Sequence, residues 1–155
     1  LTWIISWRGF ALIHNAKASG MQPANRLLFA QPEPGWWADR IGVHFDDWTN
    51  AVAVVLRLGL SADAREWLVS RASTGERARL ALIRALIAAP QVLLTDEPAA
   101  ALDAVAATAV EALIAERIAG GLSVIWATHD AAQGARLAEK GLAIEAGEVR
   151  EVMPA

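Results

Sequence analysis

Residues 91–103 read Gln91-Val92-Leu93-Leu94-Thr95-Asp96-Glu97-Pro98-Ala99-Ala100-Ala101-Leu102-Asp103. Val92, Leu93 and Leu94 form a short apolar run after Pro90. Such a run predicts a strand buried on both faces, as in a parallel sheet. Asp96 and Glu97 follow at its carboxyl end, where open α/β sheets gather their chemistry. Two adjacent carboxylates at the mouth of a buried strand are costly to desolvate unless something offsets the charge. One suits a hard cation, held directly or through water, and the other suits a water to be oriented or deprotonated. An acidic loop after a core strand is the plain alternative, and the flanking sequence decides between them.

Upstream, Ser73-Thr74-Gly75-Glu76-Arg77 precedes a helix expected over 77–89. Leu80, Ile83, Leu86 and Ile87 mark its buried face and Pro90 ends it. Ser73 with Glu76 three residues on is a capping box, which needs no further function. The same turn also offers free N–H groups to an anion, and Gly75 allows close approach to the backbone.

Downstream, an Ala-rich helix over 104–119 is closed by Gly120-Gly121, with Val110, Leu113, Ile114 and Ile118 facing inward. Residues 122–127 read as another buried strand, and Thr128-His129-Asp130 lies at its end. A histidine there can hydrogen-bond a phosphate or a water. A helix over 131–140 and a hairpin of 142–144 with 148–152 close the chain. The β-α-β-α-β-α-β order predicts an α/β domain with a mostly parallel sheet.

The first half is less regular. Residues 1–20 fit a strand or a short helix, Trp3 and Trp7 being four apart. Residues 26–30 read as a short strand leading to Gln31 and a turn-rich loop, Pro32-Glu33-Pro34-Gly35. Residues 39–59 are expected to be mostly helical, with Phe45, Trp48, Val52, Val55 and Leu56 as the apolar positions and Asp46 and Asp47 early in the helix. Ser61 is an expected N-cap for a short helix over 62–68. Together 38–72 would form a small helical lobe. His14 and His44 carry no assigned role.

The chain has 155 residues, 55% of them apolar and 20% charged, which suits one globular domain. A net charge of −3 with no Lys/Arg block argues against nucleic acid as a main partner. Without cysteine there is no disulfide or thiolate metal site, and a cytosolic setting fits. No apolar run reaches the ~20 residues needed to span a bilayer. Residues 1–13 lack the basic start and small-residue cleavage site of a signal peptide. The first residue is Leu, so the amino terminus is expected to be incomplete.

In this order and spacing the pieces resemble the nucleotide-binding domain of the ATP-binding cassette (ABC) transporter family, over about residues 25–155. Residues 92–97 resemble its Walker B strand, and Ala101-Leu102-Asp103 its D-loop. His129 stands where the family has its switch histidine. Residues 73–77 resemble a degenerate signature motif, commonly Leu-Ser-Gly-Gly-Gln. Ala72, Thr74 and Glu76 depart from it, whereas Ser73 and Gly75 are kept. Gly75 lies 21 residues before Asp96, which lies 33 before His129, and both gaps suit the family. Gln31 resembles the Q-loop glutamine.

The resemblance implies a P-loop NTPase-like fold with a helical subdomain, with ATP and Mg²⁺ as cofactors. It implies Mg²⁺ near Asp96, Glu97 and His129 as catalytic groups, and Ser73, Gly75, Asp103 and Gln31 in nucleotide binding. A second nucleotide-binding domain, packed head to tail, and a membrane permease subunit would be the partners. The protein would lie in the cytoplasm, against the inner membrane through the permease. One departure is large. The P-loop, G-x-x-x-x-G-K-[ST], is absent from these 155 residues, Lys17 lacks the needed glycines, and there is no Tyr to stack on adenine. Hydrolysis by this chain alone is therefore expected to be impaired. A partner that only lends its signature face to a complete ATPase is the alternative, and a non-functional fragment is another. The strand ending Val-Ile-Trp-Ala-Thr-His-Asp also loosely resembles ATPases of metal export.

Overall fold

Alternation decides the centre of the sheet. In Ser123–Thr128 (β3), Val124, Trp126 and Thr128 are buried while the residues between them are half-buried, the period of two that a strand imposes. The computed structural model describes residues 2–6, 40–145 and 148–152. Among the described residues five strands form one sheet in the order β2-β3-β1-β4-β5, with β1 at Thr2–Ser6, β2 at Val92–Asp96, β4 at Lys140–Glu145 and β5 at Glu148–Val152.

β2 and β3 are parallel, in register from Val92 opposite Ser123 to Asp96 opposite Ala127. A parallel pair needs a long crossover, supplied by helix α3, Ala104–Ala119. The other three pairings among the described residues are antiparallel: β1 with β3, β1 with β4, and β4 with β5. The class is α/β, and the parallel character expected of the sheet is carried by the β2–α3–β3 unit. β1 turns the rest antiparallel because it enters between β3 and β4 from their carboxyl ends: Trp3 faces Thr128 and Ser6 faces Ile125. Glu145 pairs with Glu148 in the expected hairpin.

The helices pack as their apolar spacing dictates. Helix α2, Thr74–Ile87, buries Leu80, Leu82, Ile83, Ala85 and Leu86. It begins three residues earlier than expected because Ser73 completes a full capping box. In α3 the buried stripe is Ala106, Val110, Leu113 and Ile114, spaced for one face. Each fully buried aliphatic side chain of this kind contributes about 1.5–3 kcal/mol.

The lobe before α2 is less helical than expected. Ile41–His44 is a 3-10 turn, and helix α1 runs only from Trp48 to Arg57. Asp47 is its N-cap, accepting from the Asn50 N–H, and Asp46 lies outside it. The buried face of α1 is Ala51, Val54 and Val55, continued by Leu58 just past its end, while Leu56 is exposed. Of the expected positions, Phe45 and Val55 are buried and Trp48 packs on the core. Ala62–Glu66 is a 3-10 turn capped by Ser61. Helix α4, Ala131–Leu137, stops short of residue 140, because Lys140 is already paired with Ser6 in the sheet. The core joins α1, α2, α3, β2 and β3 through Val55, Ile83, Leu113, Leu93 and Trp126. No helix among the described residues is long and apolar enough to cross a membrane. Residues 26–37, with Gln31, and also His14 and Lys17, lie outside the described residues.

Candidate functional site

The parallel register of β2 and β3 sets the site. Because Asp96 lies opposite Ala127, the residues that follow each strand leave the sheet side by side. The Glu97 N–H donates to the Ala127 carbonyl at 2.9 Å, which extends the pairing one residue past β2. His129 follows β3, and its Nε2 lies 3.5 Å from Glu97 Oε1. The Glu97 side chain is 31% exposed and that of His129 66%. Asp96 is exposed beside them at the strand end. Of the three groups expected to act together, Glu97 and His129 are neighbours at the carboxyl end of the parallel pair, and Asp96 ends β2 just before Glu97.

Glu97 adopts φ +47°, the left-handed region that costs a residue with a Cβ about 1–2 kcal/mol. This bend takes the chain out of β2 into two successive tight turns, Ala100 N–H to Glu97 O at 3.1 Å and Leu102 N–H to Ala99 O at 3.0 Å. Asp103 then starts α3, its Oδ1 accepting from Ala106 N–H at 2.8 Å. Its side chain is thus an N-cap. Spacing alone did not distinguish that task from nucleotide contact.

Ser73 and Gly75 sit at the start of α2. Ser73 N–H donates to Glu76 Oε2 at 2.7 Å, and Glu76 N–H donates to Ser73 Oγ at 3.2 Å. The Ser73 N–H, which holds the Glu76 carboxyl below the usual carboxylate range together with the Ser73 hydroxyl, is thereby occupied within the chain. Gly75 packs on the turn before α3, where a Cβ would stand 2.7 Å from the Ala101 carbonyl oxygen. The glycine that the sequence suggested for phosphate approach is required first by this contact between the start of α2 and the turn before α3.

Beside Glu97 a cleft of about 330 Å³ opens between α3 and α4. Sequence reasoning missed the side chains that span it. Gln133 Oε1 accepts from the Trp126 indole Nε1–H at 2.9 Å, and Gln133 Nε2 donates to Glu111 Oε1 at 2.9 Å. Arg136 binds the same carboxylate through Nε at 3.2 Å and through its Nη2 at 2.9 Å. Burial pushes the Glu111 carboxyl up, but hydrogen bonds from Arg136 and Gln133 more than offset that and leave it low. A glutamate in an Ala-rich helix, directly after Val110 on the buried stripe, was the one available signal.

The donor set suits Mg²⁺, which keeps several waters and takes one or two carboxylates plus phosphate oxygens. Asp96 is one such carboxylate, and no cluster of three or more potential ligands exists among the described residues. The phosphates fare differently: no glycine-rich cradle with its lysine exists in the sequence, and the Ser73 and Glu76 N–H groups at the start of α2 are taken up by the capping box.

Comparison with known proteins gives the family. The family model for the ABC transporter matches residues 14–100, beginning earlier than the resemblance read from the sequence. The aliphatic sulfonates import ATP-binding protein SsuB of Yersinia pestis bv. Antiqua (strain Antiqua) is 36% identical over 150 residues, covering 91% of this chain and 54% of that protein. SsuB 3 of Pseudomonas syringae pv. syringae (strain B728a) is 33% identical over 149 residues, 92% of this chain and 54% of its own length. The chain spans about half the length of the curated relatives it matches. An inward-facing metal-chelate type ABC transporter shares the fold, with TM-score 0.60 and 19% identity over 83% of this chain and 56% of that one. With the P-loop NTPase-like fold and a family match over more than half its length, the chain belongs to the ABC transporter family.

Proposed function

We propose that this chain is part of the ATP-binding subunit of an ABC transporter of the importing kind, in which ATP binding and hydrolysis drive transport through a membrane permease subunit. The observation that carries this reading is the Glu97–His129 pair, 3.5 Å apart beside Asp96 at the ends of β2 and β3. Glu97 orients the attacking water and accepts its proton, with its carboxylate held by the bent turn. His129 steadies the terminal phosphoryl oxygens through its ring N–H. Asp96 is the carboxylate that would hold Mg²⁺. When bound, Mg²⁺ neutralises charge developing on the phosphoryl oxygens. Ser73 and Gly75 face the nucleotide of a second nucleotide-binding domain packed head to tail. The names of the relatives favour a sulfonate-like cargo over a metal. The permease and the inner face of the membrane would be its location.

Because these residues lack a phosphate cradle, the purified chain alone is expected to hydrolyse Mg²⁺–ATP far more slowly than a complete subunit. The test is to add it to an intact ATP-binding subunit with its permease in vesicles. Stimulated hydrolysis that is lost in both Ser73→Arg and Glu97→Gln supports the reading. Stimulation that survives Glu97→Gln but not Ser73→Arg makes the chain a signature donor only. Full hydrolysis by the chain alone contradicts the expected impairment.

A further inference from the structure

The site leaves one question of mechanics: what holds His129 at Glu97? The His129 side chain is 66% exposed, so the segment that carries it decides where the ring stands. The helix behind it, α4, has seven residues, too few to be stable without tertiary support. The gap between α4 and α3 is an open cleft rather than packed apolar surface. Yet Gln133, one of three buried polar side chains among the described residues, crosses it.

We propose that Gln133 is a positioning residue that sets the separation of His129 and Glu97 by tying α4 to β3 and α3 at once. The ties run in both directions. Toward His129, Gln133 holds the Trp126 indole in β3, three residues before the histidine. Its own N–H and that of Ala132 donate to Asp130 Oδ1, while the Asp130 N–H donates to Thr128 Oγ1. The segment carrying His129 is therefore closed at each end on Gln133. Toward Glu97, the Gln133 amide holds Glu111 on α3, the helix that starts where the turn from Glu97 ends at Asp103. Arg136 shares the face of α4 with Gln133 and secures the same carboxylate, so Glu111 cannot turn away without breaking three bonds. A buried amide satisfied at both ends specifies one arrangement, because any slip leaves a donor or acceptor unpaired.

The inference rests on Glu97 and His129 being the hydrolytic pair, but its test reads geometry and not hydrolysis. The ring resonances of His129, assigned through His129→Gln, and the Trp126 indole N–H are followed by NMR in the purified chain. Gln133→Leu keeps the volume and the backbone bond to Asp130, and removes the side-chain ties to Trp126 and Glu111. It is expected to shift the Trp126 indole signal and, with it, the His129 ring signals. Glu111→Gln keeps an acceptor for Gln133 and is expected to leave both near their original positions. Should Gln133→Leu not fold, Trp126→Phe removes one tie and is expected to move the His129 signals less far. His129 signals unchanged in a folded Gln133→Leu or Trp126→Phe variant would overturn the proposal. Shifted signals, in a chain that fails to stimulate ATP hydrolysis, would uphold the brace and overturn the functional reading instead.

Discussion

Gly75 at the start of α2 and Ala101 in the turn before α3 approach so closely that a Cβ on Gly75 would lie 2.7 Å from the Ala101 carbonyl oxygen. The obstructing atom is backbone, and it belongs to the double turn that also carries Glu97. Gly75→Ala is therefore expected to destabilise the fold by about 1–3 kcal/mol, the usual range for overpacking. Urea unfolding followed by circular dichroism measures it. A Gly75→Ala variant as stable as the parent would mean that the turn yields freely and that the glycine answers only to a ligand.

Ser73 does structural work in the capping box. Ser73→Ala should cost about 0.5–2 kcal/mol, whereas Thr74→Ala, one residue inside the helix, should change stability by less. The comparison isolates the cap from general helix propensity. Equal effects of the two substitutions would show that the box contributes nothing beyond it.

Much of this was legible beforehand because it is local. The strand–carboxylate junction at 92–97, the cap at Ser73 and the stripe of Val110, Leu113 and Ile114 each follow from spacing within a few residues. The pairing of Glu97 with His129 followed once both were placed at parallel strand ends. What was not legible is what depends on distant partners. Nothing near Thr2 says that β1 will lie antiparallel between β3 and β4. Nothing near Gln133 says that its amide will meet an indole seven residues back and a carboxylate 22 residues back. The buried face of α1 is legible only in part: Phe45 and Val55 are buried and Trp48 packs on the core, whereas Ala51 and Val54 join them and Leu56 is exposed.

Acid should weaken the fold through Glu76 and Glu111. Both carboxyls are held below their ordinary value of 4.5, Glu76 by Ser73 and Glu111 by Arg136 and Gln133 despite its burial. A depressed folded pKa stabilises the protein above the unfolded value and is lost as pH falls through the folded one. The urea midpoint is thus expected to fall as pH drops below 4.5. Glu76→Gln should flatten part of that decline. An unchanged acid slope in Glu76→Gln would assign the decline to other groups.

Removing the Glu111 carboxylate tests the brace as stability. In Glu111→Ala the exposed Arg136 returns to water, but the Gln133 amide, 4% exposed, loses its acceptor. An unsatisfied buried donor costs about 1–3 kcal/mol, and that is the loss expected in urea unfolding. Arg136→Ala leaves the Gln133–Glu111 bond in place and should cost less. If Arg136→Ala proves the more damaging of the two, the exposed ion pair and not the buried amide carries the stability.

The bend at Glu97 sets stability against function at one residue. Glu97 and Ala89 are the two non-glycine positions of positive φ among the described residues, at +47° and +49°. At each, a Cβ in the left-handed region costs about 1–2 kcal/mol, and a glycine would remove that while adding about 0.5–1 kcal/mol of chain entropy to be lost on folding. Glu97→Gly should therefore be more stable than Glu97→Ala by about 0.5–1 kcal/mol, although both lack the carboxylate. Ala89→Gly should gain a similar amount where no carboxylate is at stake. Strain kept at a functional position is expected when the side chain is needed there. If Glu97→Gly is no more stable than Glu97→Ala while Ala89→Gly gains, the bend is relaxed by its surroundings and the glutamate is held without strain.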